Sequence, residues 1–108
     1  MTGEKQKEST LNKNFVKWLN GLTGCFAMKR LGQRGNRGQP DVTGCIFGIR
    51  IEMEGKIGYN KPTKIQKYWL KTWAKAGAIT GVYWSLEEAK EIFIKGARDA
   101  GLETHGWI

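Results

Sequence analysis

Two runs of alternating, β-branched residues, VTGCIF and IRIEME, stand end to end with only Gly48 between them. Strands this close in sequence can pair only as an antiparallel hairpin, because a parallel return needs a crossover of roughly a dozen residues or more. With the turn at Phe47 and Gly48, Ile46 faces Ile49, and the pairing continues outward until Asp41 lies opposite Glu54. Side chains alternate across a strand, so Ile49, Ile51 and Met53 share one face of the second strand while Arg50, Glu52 and Glu54 share the other.

Around the hairpin the period changes. Leu11, Phe15, Leu19 and Leu22 recur at helical spacing and predict a helix over about 8–21, ended by Gly21 and Gly24. CFAMK, from Cys25 to Lys29, reads as a short strand, and the Gly- and Arg-rich RLGQRGNRGQ that follows reads as a loop. GKIGYNK is a turn or loop. A second helix begins near Pro62 and Thr63, carries Ile65, Trp69, Thr72, Trp73 and Ala76 on one stripe, and stops at Gly77, where a left-handed cap costs least. AITGVYW reads as a buried strand. Ser85 with Glu88 forms a capping-box pattern for a last helix, whose inner face is Leu86, Ala89, Phe93 and Ala97. The order αβββαβα implies an α/β (α+β) chain with a mixed central sheet flanked by helices. A length of 108 residues suits a single domain, 1–108, with one core.

The charge narrows the partners. Lys and Arg outnumber Asp and Glu to give a net charge of +8, and a basic surface attracts polyanions. A nucleic acid is the leading reading of that charge, with solubility as the plain alternative. Cys25 and Cys45 lack the paired spacing of a zinc site and His105 is alone, so buried, reduced thiols are expected. No apolar run approaches the roughly 20 residues of a membrane helix, and MTGEKQKEST has no apolar signal core. No membrane association and no organic cofactor are expected, and the expected location is the cytoplasm.

The hairpin raises the chemical question. Two carboxylates directly opposite each other across strands, with Cβ atoms roughly 4.5–5.5 Å apart, repel unless something neutralises them. A hard divalent cation, Mg²⁺ or Mn²⁺, does so, and would sit between Asp41 and Glu54 with the Gly55 carbonyl as a further ligand. Lys56 shares the face of Glu54 and would lie beside that cation. Such a set suits phosphodiester cleavage, with Lys56 orienting a water or stabilising charge on the phosphoryl oxygens. The bland alternatives are that Arg50, Glu52, Glu54 and Lys56 are one solvated strand face, that Asp41 is a turn residue after Pro40, and that Gln66, three after Thr63, only caps its helix.

Taken together, Pro40-Asp41, Glu54-Gly55-Lys56 and a Gln opening the next helix resemble the PD-(D/E)xK nucleases. More narrowly, Gly38-Gln39-Pro40-Asp41, Glu54-Gly55-Lys56 and Lys61-Pro62-Thr63-Lys64-Ile65-Gln66 resemble the short, phage-type members of the virus-type replication-repair nuclease (VRR-Nuc) family. Glu8-Ser9-Thr10-Leu11-Asn12 is similar to the family's Glu-x-x-Ile-Gln, which puts the helix acid on Glu8. Gly55 departs from the apolar residue usual between Glu and Lys. The similarity covers about residues 8–88.

The resemblance implies a metal-dependent endonuclease with a PD-(D/E)xK core and a role in DNA repair. It implies Asp41 and Glu54 as metal ligands, Lys56 as catalytic base or charge stabiliser, Gln66 as an orienting group, and Glu8 as a further catalytic acid. It also implies a homodimer resembling Holliday-junction resolvases and acting on branched DNA. A second register, with Glu52-Met53-Glu54 as the metal pair, breaks the spacing to Asp41 and Gln66 and leaves Lys56 without a role. Lys29, Arg30, Arg34 and Arg37 before Asp41, with Lys61 and Lys64 at the second helix, are candidate phosphate contacts. Trp69 and Trp73 are expected in the core, with a subunit interface as the lesser role. The alternative function is a DNA-binding protein that keeps the fold and does not cleave.

Overall fold

The structure, a computed structural model, describes residues 7–31 and 37–107. Among the described residues seven elements follow in the expected order: α1 (Glu8–Asn20), β1 (Cys25–Lys29), β2 (Val42–Ile46), β3 (Ile49–Gly55), α2 (Lys64–Lys75), β4 (Ile79–Tyr83) and α3 (Leu86–Asp99). The four strands form one sheet in the order β1-β2-β3-β4, antiparallel except for the parallel pair β3–β4. The parallel pairing follows from α2, whose crossover returns the chain in the direction of β3.

The hairpin register is the expected one, with Ile46 opposite Ile49 and Val42 opposite Met53. Its two turn residues, Phe47 and Gly48, both have positive φ (47° and 84°). That geometry matches the right-handed twist of the flanking strands. Phe47 is held in this unusual conformation from outside the hairpin: its N–H donates to the Gly24 carbonyl at 2.9 Å. Its ring also lies where a side chain on Gly24 would stand.

One core fills the space between the sheet and the pair α1 and α3. Leu11, Phe15 and Leu19 of α1 meet Val42, Ile46, Ile51, Met53, Ile79 and Tyr83 of the strands, and Ala89, Phe93 and Ala97 of α3 close it. Gly81 and Gly96 let α3 lie close on β4, because a Cβ on either would collide with Ile92 or Ile79. Beyond α3, Trp107 stacks on Phe93 with ring centroids 5.9 Å apart. Among the described residues, no helix is long and apolar enough to cross a membrane.

α2 lies on the other face of the sheet, where Arg50 of β3 stands 4.5 Å from the ring centre of Trp73. Two expectations change here. No residue of α2 is buried, so Trp69 and Trp73 are half-covered anchors rather than core. The polar face of β3 is also not solvated, since Glu52 is 0%, Glu54 1% and Lys56 8% exposed. Only Arg50 on that face reaches water. The thiols differ from expectation too: Cys25 is half-buried, and burial, with Cys45 nearby, pushes it up to about 11, whereas Cys45 is exposed.

Candidate active site

Asp41 stands one residue before β2, and the chain that delivers it is fastened on both sides. Trp69 Nε1 donates to the Arg37 carbonyl at 3.1 Å and Trp73 Nε1 to Gln39 Oε1 at 3.0 Å. Gly38 turns with φ +79°, and any side chain there would run into Ile65 of α2. The Arg30 N–H donates to the Asp41 carbonyl at 2.6 Å. The apolar stripe of α2 therefore serves to aim the loop at the end of the hairpin.

The register then brings Asp41 against Glu54, and the Asp41 N–H donates to Glu54 Oε1 at 3.2 Å. Asp41 Oδ2 accepts from Asn12 Nδ2 at 3.1 Å and from the Gly55 N–H at 3.3 Å. Glu54 Oε2 is buried and has no hydrogen-bond donor among the described residues. Lys56 Nζ stands 3.5 Å from it, near enough for attraction but without a hydrogen bond. The Lys56 N–H donates to the Tyr83 carbonyl at 2.9 Å, which extends the β3–β4 ladder past the site.

The electrostatics record the crowding. Burial, reinforced by the charge of Asp41 and opposed by Lys56, raises Glu54 to about 8. Burial raises Asp41 as well, against the lowering influence of Asn12, the Gly55 N–H and Lys56. Glu8, on the first turn of α1, is raised by partial burial and by Asp41, and lowered by Lys56. Three carboxylates thus share one field, and α1 presents Glu8 and Asn12 one turn apart on the same side.

These residues fit a divalent cation. Among the described residues no three His, Cys, Asp or Glu side chains gather into a ready-made cage. Mg²⁺ does not require one, because it usually binds through one or two carboxylates and keeps several waters or takes phosphate oxygens. A buried carboxylate oxygen without a donor, next to a second carboxylate, is the kind of unmatched group that a hard cation satisfies.

Glu52 plays no part in this. Arg30 Nη2 reaches its Oε1 at 2.9 Å, Arg50 Nε its Oε2 at 2.7 Å, and Thr43 Oγ1 donates to Oε2 at 2.6 Å. With both oxygens occupied, the register that pairs Glu52 with Glu54 loses its ligand. The same contacts engage Arg30, whose guanidinium pairs with the buried Glu52 carboxylate. Gln66 is engaged locally: its Oε1 accepts from the Thr63 N–H at 2.9 Å while its own N–H donates to Thr63 Oγ1 at 3.2 Å. It closes a capping box and makes no hydrogen bond to Asp41, Glu54 or Lys56 among the described residues. Lys29, Arg37, Lys61 and Lys64 are exposed, and Arg34 lies outside the described residues.

Two residues at the site are not among the expected site residues: Asn12, which closes the Glu8–Asn12 motif, and Tyr83, which belongs to the expected strand AITGVYW. Asn12 is 4% exposed and Tyr83 is fully buried, and the Tyr83 hydroxyl donates to Asn12 Oδ1 at 2.6 Å. Burial and the neighbouring carboxylates, Asp41 first among them, hold the Tyr83 hydroxyl above its ordinary range, so it remains a donor. The available signal was a polar residue next to Leu11 on the buried side of α1. No model of a known protein family matches the chain, and no curated protein sequence matches it.

Proposed function

We propose that the chain is a divalent-metal-dependent endodeoxyribonuclease acting on structured DNA. The observation that carries the reading is the opposed pair Asp41 and Glu54, with a buried Glu54 oxygen that has no donor and Lys56 3.5 Å from it. Two buried carboxylates held this close repel, and one ammonium 3.5 Å away offsets the charge of only one of them, which favours a further cation. The resemblance of the Pro-Asp, Glu-x-Lys and Lys-Pro-Thr motifs to the VRR-Nuc family supports the same reading from the sequence.

In this reading Asp41 and Glu54 hold the cation, with the Gly55 carbonyl as a further ligand. When bound, Mg²⁺ or Mn²⁺ supplies charge neutralisation at the phosphoryl oxygens and a more acidic water. Lys56 orients the attacking water or stabilises the growing negative charge on the phosphoryl oxygens. Glu8, in the same field, helps hold the water shell. Hydrolysis makes one phosphorus–oxygen bond to water and breaks one to the leaving sugar oxygen, which takes up a proton.

The test is incubation of the purified protein with linear, flapped and four-way DNA in Mg²⁺, Mn²⁺ or EDTA. Metal-dependent cleavage of at least one DNA supports the reading. Binding to all of them with no cleavage in either metal favours the non-catalytic DNA-binding alternative. The DNA itself would be held by exposed cations around the site: Lys29, Arg37, Lys61 and Lys64. Neutralising Arg37, Lys61 and Lys64 to Gln is expected to weaken binding to every DNA shape alike. The slope of log K against log salt should flatten by about 0.9 for each phosphate no longer neutralised. An unchanged slope in the triple variant would assign these residues to solubility.

A homodimer that favours branched DNA belongs to the same reading. Phe26 and Met28 of the edge strand β1 are 67% and 45% exposed, an apolar pair that a two-fold partner would cover. Light scattering at micromolar concentration is expected to report a dimer. A monomer that cuts linear and four-way DNA equally would leave a nuclease without junction preference.

A further inference from the structure

We propose that Tyr83 and Asn12 form a positioning relay that fixes which oxygen of Asp41 is presented to the cation. The inference rests on the nuclease reading and deepens it.

Three elements distant in sequence converge on one amide. Asn12 comes from α1, Tyr83 ends β4, and Asp41 precedes β2. An asparagine amide has an acceptor end and a donor end, and its orientation is decided by what it faces. The Tyr83 hydroxyl, donating to Oδ1 at 2.6 Å, claims the acceptor end. Nδ2 is thereby turned toward Asp41, and it donates to Oδ2 at 3.1 Å. The Gly55 N–H donates to the same oxygen at 3.3 Å. Both donors converge on Oδ2, which leaves Oδ1 of Asp41 for a ligand.

Gly55 is part of the arrangement. A Cβ there would overlap Asn12 Oδ1 and press on the Tyr83 ring. Any other residue at the centre of Glu54-Gly55-Lys56 would push the amide away from Asp41. The glycine is explained by the side chain it admits, and that side chain has two hydrogen bonds, one ending on a candidate ligand. Outer contacts of this type set ligand orientation and basicity, and losing one costs typically about 10–100-fold in metal affinity or activity.

Mn²⁺ titration by calorimetry, together with single-turnover DNA cleavage, tests the relay in the full chain for Tyr83→Phe, Asn12→Ala and the double variant. Tyr83→Phe keeps the buried ring and is expected to stay folded, as melting curves will show; Asn12→Ser replaces Asn12→Ala if the latter does not fold. The expected result is Mn²⁺ affinity about ten-fold weaker in each single variant. The double variant should be no worse than Asn12→Ala, because Tyr83 acts only through Asn12. The limiting single-turnover cleavage rate should fall while the protein concentration giving half of that rate is unchanged. Wild-type Mn²⁺ affinity in both single variants, or losses that add in the double, overturns the relay while leaving the nuclease reading in place. A wild-type chain that neither binds Mn²⁺ nor cleaves DNA overturns both.

Discussion

Glu54→Gln is expected to abolish DNA cleavage in Mg²⁺ or Mn²⁺ while DNA binding survives. The substitution keeps the shape of the side chain and removes the charge, so the hairpin retains its packing and Oε1 still accepts from the Asp41 N–H. What is lost is half of the negative charge opposed at the base of β2 and β3. A metal contributes several kcal/mol of charge stabilisation to phosphoryl transfer. Losing about 4 kcal/mol of it slows the reaction roughly a thousand-fold. Asp41→Asn should do the same, and EDTA should reproduce both in the wild type. The proposed binding surface lies on other residues, Arg37, Lys61 and Lys64, so gel-shift affinity is expected to change little. Cleavage by Glu54→Gln at a rate near wild type would remove the metal assignment.

The same variant is expected to change how the stability of the metal-free protein responds to pH. Glu54 is 1% exposed, crowded by Asp41 and attracted by Lys56 Nζ at 3.5 Å. A neutral amide removes both the repulsion from Asp41 and the attraction to Lys56, and with them the proton that links this site to pH. The pH dependence has a definite sign. Burial and Asp41 raise Glu54 from an ordinary 4.5 to about 8 in the folded chain, so the folded state holds this proton more tightly than the unfolded one. Stability is full below about 4.5 and is lost as pH rises through about 8. Without metal, the wild type should therefore melt lower at pH 8.5 than at pH 5.5, Mn²⁺ should reverse the loss, and Glu54→Gln should flatten the profile. Equal melting temperatures at both pH values in EDTA would contradict the picture of two crowded carboxylates.

β3 was easy to place and hard to interpret. The alternation of Ile49, Ile51 and Met53 with Arg50, Glu52 and Glu54 assigns faces without help from the rest of the chain. A two-residue turn at Phe47 and Gly48 then leaves only one register, so the meeting of Asp41 and Glu54 was legible. Periodicity tells which face a side chain is on but not whether a distant helix covers it. The burial of Glu52 depends on Arg30, 22 residues away, and neither residue type announces the pairing.

The second helix shows the same limit. Its stripe of Ile65, Trp69 and Trp73 was readable, but an apolar stripe does not say what it packs on. Here two indole N–H groups reach back 32 and 34 residues to hold the loop before Asp41. Gln66 offered two readings from one pattern, and the observed box with Thr63 follows the local one, since partners three residues apart need no tertiary structure to meet. Asn12 was hidden for the opposite reason: its partners Asp41 and Tyr83 lie 29 and 71 residues away. A polar residue beside Leu11 on the buried side of a helix is the trace they leave in the sequence.

The central claim, a divalent cation held between Asp41 and Glu54, is tested most directly by anomalous diffraction from crystals of the protein grown or soaked with Mn²⁺. The expected result is a manganese peak in contact with carboxylate oxygens of both Asp41 and Glu54, absent from Glu54→Gln crystals treated identically. No peak at that pair in the wild type at millimolar Mn²⁺, or a peak that persists unchanged in Glu54→Gln, would contradict it.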